Sequence, residues 1–102
     1  MKLRIAFSVL LLTATTCGAE EAKVTIDNFA FTPATLSVKA GTAIVFVNHD
    51  DLPHNVIEAN GGFKSKALDT DETFTRVFDK PGEIVYFCSL HPHMQGKIIV
   101  TP

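Results

Sequence analysis

The chain has 102 residues, nine basic and eleven acidic side chains, and a formal net charge of −2. That length fits one domain, and the charge excludes the basic footprint of a nucleic-acid binder.

Lys2 and Arg4 open a segment whose residues 5–12 are apolar except for Ser8, and small residues follow through Ala19. A positive start, a short apolar run and a small-residue end make a secretory leader. The run is under half of the roughly 20 residues a membrane helix needs, so cleavage rather than membrane insertion is expected. The expected division is a leader over residues 1–19 and a domain over 20–102, with a cut after Ala22 as the alternative. Cys17 also suggests a lipoprotein leader, but Ala14, Thr15 and Thr16 fit that signal poorly. Removing Lys2 and Arg4 leaves seven basic side chains against eleven acidic ones, a net charge of about −4.

The remaining segment carries no helical stripe. Val24 and Ile26, then Phe29 and Phe31, alternate around a bend at Asp27-Asn28. Leu36 and Val38 alternate after Pro33, and Ala40-Gly41 mark a turn. Residues 43–47 are continuously apolar, as in a strand buried on both faces or deep in a sandwich. Val56-Ile57 form a short run before Asn60-Gly61-Gly62. Residues 64–71 read as a loop or a single helical turn. Residues 73–78 are β-branched and aromatic, and Lys80-Pro81-Gly82 turn the chain into strands over 84–87 and 97–101. About seven to eight short strands with turn chemistry between them predict an all-β sandwich.

After cleavage Cys88 is the one cysteine left, so no internal disulfide can form. A small exported domain gains from a disulfide or a metal, and a metal would also occupy the lone thiol. An inert buried cysteine is the plain alternative. The stretch Cys88-Ser89-Leu90-His91-Pro92-His93-Met94 decides between them. Cys-x-x-His alone also suits zinc, but a thioether is a poor zinc ligand and a good copper one. Thiolate, imidazole and thioether call for a second imidazole. His54, in Leu52-Pro53-His54-Asn55-Val56, comes after the buried strand on a loop that a sandwich can bring beside Cys88. The predicted metal ligands are therefore His54, Cys88, His91 and Met94, holding one copper ion as Cu(I) or Cu(II). With no vacant position, such a site is not expected to be an enzyme's. His49, beside Asp50 and Asp51, reads as a solvated loop residue, and His93 as a surface residue or a second, weaker copper contact.

These motifs resemble the plastocyanin/azurin-type cupredoxins, above all the amicyanins. The resemblance lies in Pro53-His54-Asn55-Val56, Tyr86-Phe87-Cys88, the loop Cys88-x-x-His91-Pro92-x-Met94, Gly96-Lys97, residues 29–33 and Lys80-Pro81-Gly82. It implies a Greek-key sandwich with a type 1 (blue) copper site acting as a periplasmic single-electron carrier. His93 stands where the amicyanins have an aromatic residue. The resemblance implies that Asn55 supports the site, its N–H on the Cys88 sulfur and its side chain tied to Ser89; an ordinary turn residue is the alternative. It also implies that His91 presents its edge within an apolar collar of Leu52, Pro53, Leu90 and Pro92. A redox partner, such as a c-type cytochrome or a periplasmic dehydrogenase, would dock there transiently on a monomer. The main rival function is a periplasmic copper carrier or scavenger using the same ligands; a metal-free adhesion sandwich is a third.

Overall fold

Along β1 (Glu21–Asp27) Val24 and Ile26 turn into the core while Lys23 faces out, the two-residue period of a half-buried strand. The computed structural model describes residues 20–102. The expected leader, its cleavage point and Cys17 lie outside the described residues. A two-residue turn at Asn28-Phe29 folds β1 back on β2 (Ala30–Thr32), with Asp27 paired to Ala30. The chain then crosses to the opposite sheet for β3 (Thr35–Lys39). Gly41, at a φ of 91° that favours glycine, turns it back into β4 (Ala43–Asn48).

β5 (Ile57–Glu58), β6 (Thr73–Val77), β7 (Gly82–Phe87) and β8 (Gln95–Thr101) complete the domain. One sheet has the order β2-β1-β4-β6 and the other β3-β8-β7-β5. β1 runs parallel to β4 and β3 parallel to β8; the other pairings are antiparallel. Among the described residues these eight strands in two layers form an all-β sandwich. Of the two readings of β4, burial on both faces does not hold at its start, where Ile44 and Phe46 are fully buried but Ala43 and Val45 only half-buried. The strand lies inside one sheet of the sandwich, between β1 and β6. Residues 64–71 form no helix. They are a loop that ends in a turn at Thr70-Asp71 and is pinned by the bridges Ile57↔Lys64 and His54↔Leu68, which set Leu68 into the core.

Tyr86 is the largest fully buried side chain and lies edge-on to Phe31 (centroids 4.7 Å apart) and Phe46 (5.3 Å). Across the β7–β8 pair it faces Gly96, where a β-carbon would run into its ring and hydroxyl. Burial raises the phenol's pKa far above its usual range, and its oxygen has no hydrogen-bond partner among the described residues. An unpaired buried hydroxyl is a cost of about 1–3 kcal/mol. Tyr86→Phe is therefore expected to leave stability unchanged or raise it by about 1 kcal/mol. A lowered midpoint in urea unfolding would mean that the hydroxyl is bonded in solution.

Candidate metal centre

The turn after β1, the loop after β4 and the β7–β8 loop share one end of the sandwich. The parallel β1–β4 pair sets Ile26 beside Asn48, and the Ile26 carbonyl accepts the His49 N–H. Asn48, fully buried at the end of β4, shapes the loop that leaves this strand. Its amide nitrogen donates to the carbonyls of Leu52 (2.9 Å) and Leu68 (2.8 Å), and its side-chain oxygen accepts the Asp50 N–H (2.9 Å). A buried amide with these bonds satisfied acts as an internal staple for an irregular loop. His54 is then fixed at both ends. Its backbone exchanges hydrogen bonds with Leu68, and its Nε2 lies 2.8 Å from Asp50 Oδ2.

The second loop begins where β7 ends. Phe87 pairs with Gln95, and the Cys88 N–H continues that ladder to the Met94 carbonyl (3.1 Å). His91 N–H to Cys88 carbonyl and Met94 N–H to His91 carbonyl make two successive turns. This winding explains why donor residues recur every third position.

His54 and Cys88 meet: Sγ is 3.7 Å from Nδ1, and both side chains are fully buried. The rings of His54 and His91 have centroids 4.8 Å apart, and Met94 is buried in the same loop. Among the described residues no three His, Cys, Asp or Glu side chains converge as a ready-made cage. Asn55 spans the two loops. Its N–H donates to Cys88 Sγ (3.4 Å), its side-chain nitrogen to Ser89 Oγ (2.9 Å), and its side-chain oxygen accepts the Ser89 N–H (2.8 Å). An N–H aimed at a buried sulfur fixes where that sulfur points. A sulfur so placed, facing an imidazole nitrogen and succeeded along the loop by a second imidazole and a buried thioether, fits a copper ion by its donor chemistry.

Leu52, Pro53, Leu90 and Pro92 are exposed and flank His54 and His91, while His91 is half-buried. His93 is exposed. His49 is also exposed, and its Nδ1 lies 3.2 Å from Asp71 Oδ1.

Two residues at this end were missed as site residues by sequence reasoning. Phe29 lies edge-on to both imidazoles, and Asp50 bonds His54. Burial works to raise the Asp50 carboxyl, but the N–H groups of Phe29 and Asn28 and the His54 ring outweigh it and lower its pKa. Nothing in the order of residues signals either role, because a carboxylate four positions before a histidine on a loop has no fixed geometry.

Residues 3–100 match the family model of the cupredoxin-like domain. The chain is 31% identical to amicyanin from Paracoccus versutus over 87 residues, covering 80% of this chain and 66% of that protein. It is 34% identical to chloroplastic plastocyanin from Tetradesmus obliquus over 102 residues, covering 85% and 70% respectively. Among solved structures it is similar to the copper-containing nitrite reductase of Thermus scotoductus. The TM-score is 0.80 and the identity 28%, covering 90% of this chain but 25% of the enzyme's.

Proposed function

Because the chain belongs to the cupredoxin-like family, we propose that it holds one copper ion through His54, Cys88, His91 and Met94 and carries single electrons between redox proteins. The observation that carries this reading is the buried Cys88 sulfur, set 3.7 Å from His54 Nδ1 and receiving the Asn55 N–H. Copper bound there would supply a one-electron couple.

The chain's own part is to hold still. Both loops are braced by hydrogen bonds independent of the donors' side chains, through Asn48 on one and through the turns between Cys88 and Met94 on the other. Ligands fixed in this way move little when the charge at their centre changes, which keeps the barrier to electron transfer low. The Met94 thioether would be a weakly held donor, of a kind that suits both oxidation states of copper. Cys88, His54 and Met94 are buried, so the chain itself supplies the donors, whereas a catalytic metal site keeps a position open. This supports a carrier rather than an enzyme. The nitrite reductase is a much longer chain, and its activity is not carried over.

The half-buried His91, flanked by exposed Leu52, Pro53, Leu90 and Pro92, is the reading's outlet for electrons. A small apolar surface suits a brief encounter with a cytochrome or a dehydrogenase. Export to the periplasm rests on the leader expected over residues 1–19. Among the described residues no helix is long and apolar enough to cross a membrane.

Adding one equivalent of Cu(II) to the purified protein is expected to give an intense blue colour and a single copper signal by electron spin resonance. At free copper 100-fold above its Kd, the metal should also stabilise the fold by about 2.7 kcal/mol. A colourless product overturns the reading. A blue protein that yields Cu(I) readily to a competitor, instead of cycling reversibly at an electrode, would favour copper delivery over electron transfer.

A further inference from the structure

The β1–β2 hairpin turns on two consecutive non-glycine residues in left-handed backbone, Asn28 at φ 53° and Phe29 at φ 59°. Two-residue hairpin turns of this hand recruit Asn readily at the first position but strongly prefer Gly at the second. A phenylalanine there is sterically strained and persists only where its surroundings hold it.

Asp50 does the holding. Its Oδ1 accepts the Asn28 N–H at 2.6 Å, and its Oδ2 accepts the Phe29 N–H at 2.9 Å. The same Oδ2 lies 2.8 Å from His54 Nε2. One carboxylate, with a side chain only 11% exposed, therefore joins the turn to a proposed metal ligand.

The turn delivers the Phe29 ring edge-on to His54 (centroids 5.3 Å, 87° between planes) and to His91 (4.9 Å, 88°). Phe29 is nevertheless 45% exposed, so filling the core does not account for it.

We propose that Asp50 is a positioning residue for the metal centre, fixing His54 with Nδ1 towards Cys88 and holding Phe29 as a cover over His54 and His91. The proposal rests on the copper reading of the site and deepens it. With Nε2–H donated to the carboxylate, Nδ1 keeps its lone pair on the side where the sulfur lies. His91 sits between two turns on the β7–β8 loop, and Phe29 is an aromatic neighbour from a different loop. For either imidazole to swing away from the metal, the Phe29 ring must move, and the Asp50 bonds resist that movement.

The test uses two measurements on Asp50→Ala, Asp50→Asn and Phe29→Ala. The first is nitrogen-15 NMR of the His54 ring in metal-free protein; the second is copper release to excess chelator from loaded protein. The parent protein should show one tautomer, protonated at Nε2. Asp50→Ala should show a mixture and release copper about tenfold faster or more, in line with the loss of an outer-shell partner. Phe29→Ala should keep the tautomer yet also release copper faster. Asp50→Asn keeps an acceptor oxygen and should fall between the parent and Asp50→Ala, which preserves the test if alanine impairs folding. The effects of Asp50→Ala and Phe29→Ala should be less than additive in the double variant, because one acts through the other.

A single Nε2–H tautomer in folded Asp50→Ala, or parental release rates in the Asp50 and Phe29 variants, overturns the proposal. If the parent binds no copper, the copper reading fails by itself, and the tautomer comparison in metal-free protein still decides the role of Asp50.

Discussion

Cys88→Ser is expected to abolish the blue colour of the copper-treated protein while leaving the fold intact. The colour of such a site arises from the covalent bond between a thiolate and Cu(II), and a serine hydroxyl stays protonated and offers a hard oxygen instead. The metal-free fold has reason to tolerate the change. The Asn55 N–H can donate to a hydroxyl as it does to sulfur, and the hydroxyl can donate to His54 Nδ1. The stability cost of the shorter bonds and the lost sulfur contacts should stay within about 1–2 kcal/mol. Circular dichroism matching the parent, with no visible band after copper addition, is the expected pair of results. An intense blue serine variant would remove Cys88 from the site and end the copper reading in its present form.

Gly96→Ala is expected to produce the largest loss of stability among the conservative changes. The added methyl would collide with the Tyr86 ring and hydroxyl. The ring has little room to yield, because it is fully buried and wedged against Phe31 and Phe46. Overpacking of this kind typically costs about 1–3 kcal/mol, and contact with a rigid ring places this case at the upper end. For a domain of this size such a loss lowers the melting temperature by about 10–20 °C. Gly96 lies two residues after Met94 and faces Tyr86, two residues before Cys88. Strain relieved by shifting β8 would therefore alter the donor loop as well. The variant should bind copper with a changed spectrum at temperatures where it remains folded. A melting temperature within a few degrees of the parent would mean that Tyr86 can turn away from Gly96.

The sandwich was largely legible because short alternating runs and turn residues are local signals. Val24 with Ile26, Ala40-Gly41 and Lys80-Pro81-Gly82 each declare their conformation within a few positions. The partners of each strand were not legible. Pairing of β1 with β4, or of β3 with β8, joins segments whose neighbours in sequence give no sign of it. At the site, candidate donors could be proposed from chemical type and spacing, and of these the structure sets the His54 and Cys88 side chains 3.7 Å apart. Phe29 read as an ordinary alternating strand residue, yet it stands at the tip of a hairpin with its ring on two imidazoles. Asp50 read as one of two loop acids, and its role depends on three groups brought to it by two loops. Roles created by convergence leave no mark on the order of residues.

The β7–β8 hairpin closes its loop only when β8 pairs with β7 on one side and with β3 on the other. β8 occupies Gln95–Thr101, at the far end of the chain from β1. A nascent or translocating polypeptide that has not yet released β8 lacks the pairings that close the loop carrying the proposed donors. If the chain crosses a membrane unfolded and holds an ion as proposed, it must acquire that ion after arrival. The ions available in the destination compartment, rather than those at the ribosome, then decide which one is bound, since raw affinity alone discriminates poorly between competing transition metals.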